Sequence, residues 1–122
     1  MKILVVEDEP ASLKLAHLVL SAGGYEVTNA DAAEKAVEEI LRSQPEVILL
    51  DLELPGINGL TLAHNLKRDP KTRHIAIIAI TSFPERYSRE QALEAGCDGF
   101  IVKPIDTRKL PRQIAETVEN AK

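Results

Sequence analysis

Five short apolar runs recur along this chain of 122 residues: Ile3 to Val6, Tyr25 to Asn29, Val47 to Leu50, Ile75 to Ile80 and Gly99 to Val102. Most are apolar at consecutive positions. A strand with one wet face alternates apolar and polar residues, whereas a strand covered on both faces does not, and the latter belongs to a parallel sheet flanked by helices. The segments between the runs must then be helical. Pro10 to Ala22, Asp31 to Arg42, Leu60 to Lys67, Glu85 to Ala95 and Arg108 to Ala121 all space apolar residues three or four apart, as amphipathic helices do. An unbroken β-α series predicts a doubly wound α/β domain with a parallel sheet.

Local punctuation agrees with this reading. Pro10 suits a first helical turn, Asp31 and Ser88 are expected N-caps, and Gly23-Gly24 is expected to close the first helix. Ser88 with Gln91 reads as a capping box. Asn58 and Gly59 read as a turn and helix entry. A proline deep in a helix removes a hydrogen bond, so Pro111 moves the expected start of the last helix toward Leu110.

Composition excludes several function classes. A net charge of -4 and 3% aromatic residues leave neither a basic surface for a nucleic-acid backbone nor a stacking platform for bases. Cys97 is the single cysteine, which rules out an intrachain disulfide and a multi-cysteine metal site and reads as a buried structural thiol. The opening apolar run stops at Glu7-Asp8-Glu9, unlike a signal peptide, and no stretch approaches the roughly 18 apolar residues of a membrane span. The expectation is a cytoplasmic protein with no membrane partner, a single domain over residues 1–122 with no output domain attached.

In doubly wound folds ligands bind at the carboxyl ends of the strands, near the point where the strand order reverses. The residues expected there are Glu7 and Asp8 after the first run, Asp51 after the third, Thr81 after the fourth and Lys103 after the fifth. Three crowded carboxylates must take up a proton or a cation. Mg²⁺, or Mn²⁺ in its place, suits these hard oxygen donors, and Glu53 could add its backbone carbonyl. An acidic first loop argues against a phosphate cradle, which needs glycines and hydroxyls. A carboxylate is a competent nucleophile for phosphoryl transfer, a reaction that needs mainly positioning and charge neutralisation. Lys103 can neutralise Asp51 at rest and bind a phosphoryl oxygen after transfer.

Val5-Val6-Glu7-Asp8-Glu9, Leu49-Leu50-Asp51-Leu52-Glu53-Leu54-Pro55-Gly56, Gly59, Ala79-Ile80-Thr81-Ser82, Gly96 and Gly99-Phe100-Ile101-Val102-Lys103-Pro104 together resemble a response-regulator receiver domain from Lys2 to about Glu119. The resemblance implies a flavodoxin-like (βα)5 fold with strand order 2-1-3-4-5. It implies that Asp51 accepts a phosphoryl group from a phosphohistidine on a histidine kinase or histidine phosphotransfer protein, with Glu7 and Asp8 helping to hold Mg²⁺. It further implies that Thr81 moves to bond the phosphoryl group, that Phe100 turns inward with it, and that the Lys103-Pro104 bond is cis. The readout face would comprise helix four, strand five and helix five, for a downstream protein or a phosphorylation-dependent dimer. Beyond self-phosphorylation and slow self-dephosphorylation no enzymatic activity is expected.

Phe100 stands where the family often carries tyrosine, so its outward form exposes an apolar ring and a weaker outward bias is expected. Glu53, Ser82 and Phe83 flank the acceptor by family analogy and are expected to tune access and acyl-phosphate lifetime, in a direction the sequence leaves open. His17, His64 and His74 lie at no strand carboxyl end. An aspartate-dependent phosphohydrolase would need a substrate pocket that these short connections do not build. A pseudo-receiver acting only as a docking module is the alternative, and such proteins tend to lose the site residues kept here. The absence of an effector segment fits a stand-alone regulator, a phosphorelay intermediate or an excised piece of a longer protein.

Overall fold

The computed structural model describes residues 1–54, 56 and 58–121; Pro55, part of the motif above, lies outside them. Five strands alternate with five helices: β1 Lys2–Val6, α1 Pro10–Ala22, β2 Glu26–Ala30, α2 Ala33–Arg42, β3 Val47–Asp51, α3 Gly59–Arg68, β4 Ala76–Thr81, α4 Arg89–Glu94, β5 Gly99–Val102 and α5 Leu110–Asn120. All pairings are parallel and the order is β2-β1-β3-β4-β5. The chain leaves β1 toward one edge and returns past it to β3. This reversal opens a crevice at the carboxyl ends of β1 and β3.

Strand alternation splits the interior into two layers. Ile3, Val5, Val47, Leu49, Ile78 and Ile80 pack with Ala16 and Leu20 of α1 and Leu110 and Ile114 of α5. Their neighbours Leu4, Val6, Ile48, Leu50, Ile77 and Ala79 pack with Ala36 and Ile40 of α2, Leu62 and Leu66 of α3, and Ala92 of α4. Consecutive apolar residues thus serve opposite faces of one sheet, which is why the strands do not alternate. Cys97 is buried in the second layer, and burial pushes its thiol up to about 11, as an inert packing residue requires.

Several boundaries differ from the sequence reading. α2 begins at Ala33 rather than Asp31, because the Asp31 carboxylate pairs with Lys35 at 2.9 Å instead of capping, and Ala32 at the cap makes no side-chain bond. α4 begins at Arg89 rather than Glu85. The amides of Arg86 and Tyr87 both donate to the Phe83 carbonyl at 2.9 Å, closing a separate turn, and Ser88 and Gln91 then form the expected capping box. β2 starts one residue later than Tyr25, and β3 and β4 run one residue further, through Asp51 and Thr81. α5 starts at Leu110 with Pro111 in its first turn, and Gly23 and Gly24 close α1.

At the amino end of β4, Lys67 Nζ donates to the carbonyl of Ile75 at 2.7 Å and to Asp98 at 2.8 Å. Asp98 also accepts from the Ile77 amide at 2.9 Å. This network ties α3 to β4 and to the turn before β5, on the side of the sheet away from the crevice.

Candidate functional site

Asp51 ends β3 opposite Ile80 of β4, and only 3% of its surface is exposed. One bond fixes the residue that follows it to β4, and another fixes its carboxylate. The Leu52 amide donates to the Ile80 carbonyl at 2.9 Å, and the Glu53 amide donates to Asp51 Oδ1 at 2.9 Å. Beneath it, α3 starts at Gly59, capped by the Asn58 side chain, which accepts from the Leu60 amide at 2.7 Å. A Cβ on Gly59 would lie 2.8 Å from Leu52 Cα and 2.9 Å from the Asp51 carbonyl oxygen, so only glycine lets α3 approach this closely.

β1 delivers Glu7 and Asp8 to the same end of the sheet. The Glu7 amide bonds to Ala30 O at 3.0 Å, which extends the β1–β2 ladder by one residue and turns the Glu7 carboxylate inward, where it is buried, while Asp8 is exposed. Oxygen atoms of Glu7, Asp8 and Asp51 lie within 4.8 Å of one another. From β5, the Lys103 amide bonds to the Thr81 carbonyl at 2.8 Å, and the Lys103-Pro104 bond is cis as expected. Lys103 Nζ reaches Glu7 Oε1 at 2.5 Å and Asp51 Oδ2 at 3.3 Å.

One ammonium cannot balance three carboxylates. Burial and the neighbouring Asp51 push the Glu7 carboxyl from 4.5 up to about 7, against the opposing bond from Lys103. Burial lowers the affinity of Lys103 for its proton, but the bond to Glu7 and the charges of Asp51 and Glu7 outweigh it and hold the ammonium above the usual lysine value. A hard divalent cation fits this set of oxygen donors and removes the need for a proton on Glu7.

β4 supplies the opposite wall. Thr81 is fully buried; its hydroxyl donates to Glu53 Oε2 and accepts from the Phe83 amide at 2.9 Å. Glu53 Oε1 accepts from the Ser82 amide at 3.0 Å. The sequence reading assigned Glu53 a backbone carbonyl and a place on the access route; it missed this side-chain bond, which depends on β3 and β4 ending side by side. Ser82 is exposed, and the Phe83 ring, 47% exposed, carries the Arg86 guanidinium at 5.8 Å. Phe100 on β5 is half-buried against the second core layer, with the Arg89 guanidinium 5.4 Å from its ring centroid. A cleft of about 300 Å³, lined by Ser12, Leu15, Ser82, Lys103 and Ile105, opens beside the acidic cluster. The histidines stand apart: His17 bonds to Asn29 at 3.1 Å, and His64 and His74 are exposed.

A family model described as the response regulator receiver domain matches residues 3–115. Response regulator PleD of Caulobacter vibrioides is 43% identical over 105 residues, which cover 86% of this chain and 23% of that protein. This chain therefore spans less than a quarter of PleD. Polar-differentiation response regulator DivK of Brucella ovis is 34% identical over 118 residues, covering 97% of this chain and 93% of DivK. Among solved structures, a response regulator from Chloroflexus aurantiacus superimposes with a TM-score of 0.91 at 28% identity, covering 97% of each chain. The receiver domain of a sensor histidine kinase from Pseudomonas aeruginosa, which holds a magnesium ion in its active site cleft, superimposes with a TM-score of 0.86 at 29% identity, covering 95% of this chain and 97% of that one.

Proposed function

This chain belongs to the response regulator receiver domain family, and from that premise we propose that Asp51 is its phosphoryl acceptor, switched by Thr81, Lys103 and Phe100. Receivers are signalling modules of two-component systems, with aspartate phosphorylation and Mg²⁺ binding as general features, and they exchange phosphoryl groups with histidine kinases or phosphotransfer proteins. The observation that carries the residue assignment is Lys103 Nζ bridging buried Glu7 and Asp51, with the exposed carboxylate of Asp8 beside them.

Glu7, Asp8, Asp51 and the Glu53 carbonyl would hold Mg²⁺. When bound, the ion supplies neutralisation of the charge that gathers on the transferring phosphoryl oxygens. Asp51 is held in place by the Leu52 and Glu53 amides, so one carboxylate oxygen attacks phosphorus while the bond from phosphorus to the donor imidazole nitrogen breaks. The displaced imidazole keeps the electron pair. Lys103 then exchanges its bond to the carboxylate for one to a phosphoryl oxygen. The cleft bordered by Ser12, Leu15 and Ile105 supports donor access from the α1 side. Ser82 and Phe83 border the approach of water and set how long the acyl phosphate survives.

A hydroxyl and an ammonium bond better to phosphoaspartate than to aspartate, and this difference shifts the population of the β4–β5 wall. The readout face is α4, β5 and α5, where Leu93 and Val102 stand exposed beside half-buried Phe100. A downstream protein or a second copy of the chain, recruited on phosphorylation, binds there. No helix among the described residues is long and apolar enough to cross a membrane, and the site of action we propose is the cytoplasm, where histidine kinases transfer their phosphoryl groups. We read residues 1–122 as one receiver module, with only Mg²⁺-dependent self-phosphorylation and slow self-dephosphorylation of its own. The pseudo-receiver reading is not favoured, because the acidic pair, Asp51, Thr81 and Lys103 are all present.

Intact mass after incubation with acetyl phosphate tests the assignment. Wild type should gain one phosphoryl group only with Mg²⁺, and Asp51→Asn should gain none. A stable phosphoryl group on Asp51→Asn would sink the acceptor assignment.

A further inference from the structure

We propose that Glu53 is a positioning residue that clamps Thr81 in the resting state, so that phosphorylation switches the domain by taking the Thr81 proton away from Glu53. The inference rests on Asp51 being the acceptor. A threonine hydroxyl has one proton to donate. In this structure that proton goes to Glu53 Oε2, while the Thr81 hydroxyl oxygen itself accepts from the Phe83 amide at 2.9 Å. Glu53 is fixed in turn by the Ser82 amide at 3.0 Å, and its own amide is tied to Asp51 Oδ1 at 2.9 Å. Three consecutive residues of the β4 exit, Thr81, Ser82 and Phe83, are thereby stitched to the acceptor loop through one carboxylate.

Thr81 cannot donate to Glu53 and to a phosphoryl oxygen on Asp51 at once. The exchange replaces one charge-assisted bond by another, so the resting bond subtracts directly from the free energy that drives the switch. Releasing Thr81 leaves Glu53 held at this wall only by the Ser82 amide, which loosens the tie between the acceptor loop and the backbone that leads into α4. Glu53 is half-buried, so its carboxylate can swing outward to water when displaced.

Two measurements on the full chain separate this role from simple charge repulsion. In ligand-free protein, three-bond couplings to the Thr81 methyl report its χ1. Wild type should show one rotamer, Glu53→Ala should show averaging, and Glu53→Gln, which keeps a neutral acceptor, should fall between. With Mg²⁺ and beryllofluoride as the phosphoryl mimic, Glu53→Ala should bind about 10-fold tighter than wild type, and the gain should vanish in a Thr81→Val background. A gain that persists without the Thr81 hydroxyl would assign it to lost repulsion and overturn the clamp, as would an unchanged Thr81 rotamer in Glu53→Ala. If wild type takes up no beryllofluoride, the acceptor assignment falls, and the rotamer measurement alone decides the clamp.

Discussion

Raising the pH from 5.5 to 8.5 should weaken the metal-free fold through Glu7. Its carboxyl is pushed from 4.5 to about 7, by burial first and by Asp51 next. The unfolded chain releases this proton near 4.5, so between the two values the folded state holds a proton that the unfolded state has lost. The contribution is therefore complete below pH 4.5 and is lost as the pH rises through 7. In full it amounts to about 3 kcal/mol, of which about 2 kcal/mol falls between pH 5.5 and 8.5. Asp31, held low by Lys35, titrates below this window, and Lys35, Cys97 and Lys103 titrate above it. Urea denaturation in chelator at both pH values, on wild type and Glu7→Gln, measures the loss. Wild type should lose about 2 kcal/mol more than the variant across the interval, because contributions common to both proteins cancel. Added Mg²⁺ should recover stability at pH 8.5 in wild type more than in Glu7→Gln. Parallel pH profiles for the two proteins would refute the reasoning, since the proton would then reside on some other group.

Lys103→Met strips from Glu7 and Asp51 the one cation that contacts them among the described residues and should cost about 3 kcal/mol at pH 8 in chelator, read by thermal denaturation, while acetyl phosphate still labels the protein without moving Thr81. Asp98→Ala leaves the Ile77 amide and the Lys67 ammonium without their shared carboxylate and should cost about 2 kcal/mol; hydrogen exchange at Ile77 should accelerate, and unchanged protection there would contradict the network. Arg89→Ala removes the cation over the half-buried Phe100 ring, worth about 0.5–1 kcal/mol, and should shift the ring's rotamer populations a few-fold in its nuclear Overhauser contacts. An unaltered ring environment would mean that Arg89 does not hold it.

The order of elements and the residues at the strand ends were legible because burial on both faces leaves a pattern every residue of a strand must obey. Val47 to Leu50 has no other economical reading, and the residue that follows it is placed at the crevice by topology alone. Asp31 misled because an N-cap and the first partner of an i,i+4 ion pair look alike in sequence: here Lys35 four residues on outcompetes the helix amides. Glu85 misled because Phe83, Arg86 and Tyr87 close a turn that mimics helical spacing for one cycle. The Glu53 to Thr81 bond spans 28 positions and depends on the relative height of two strand ends, which no local spacing encodes.

Gly59 gives the site an unequal pair of walls. With α3 pressed against the backbone of Asp51 and Leu52, and Leu52 bonded to β4, the acceptor side has no slack to absorb a new group. The far side is held differently: beyond the β4–β5 ladder, the Thr81 side chain, Ser82 and Phe83 are tied by bonds through Glu53 and the Thr81 hydroxyl, and the Phe83 and Phe100 rings by cation contacts, all of which exchange more readily than packed backbone. Displacement is thus directional. Under the proposed switch, a protein gripping the α1 and α2 flank would meet nearly the same surface before and after transfer, while one gripping α4 and β5 would meet two different surfaces, so a donor and a target could occupy the domain by different rules.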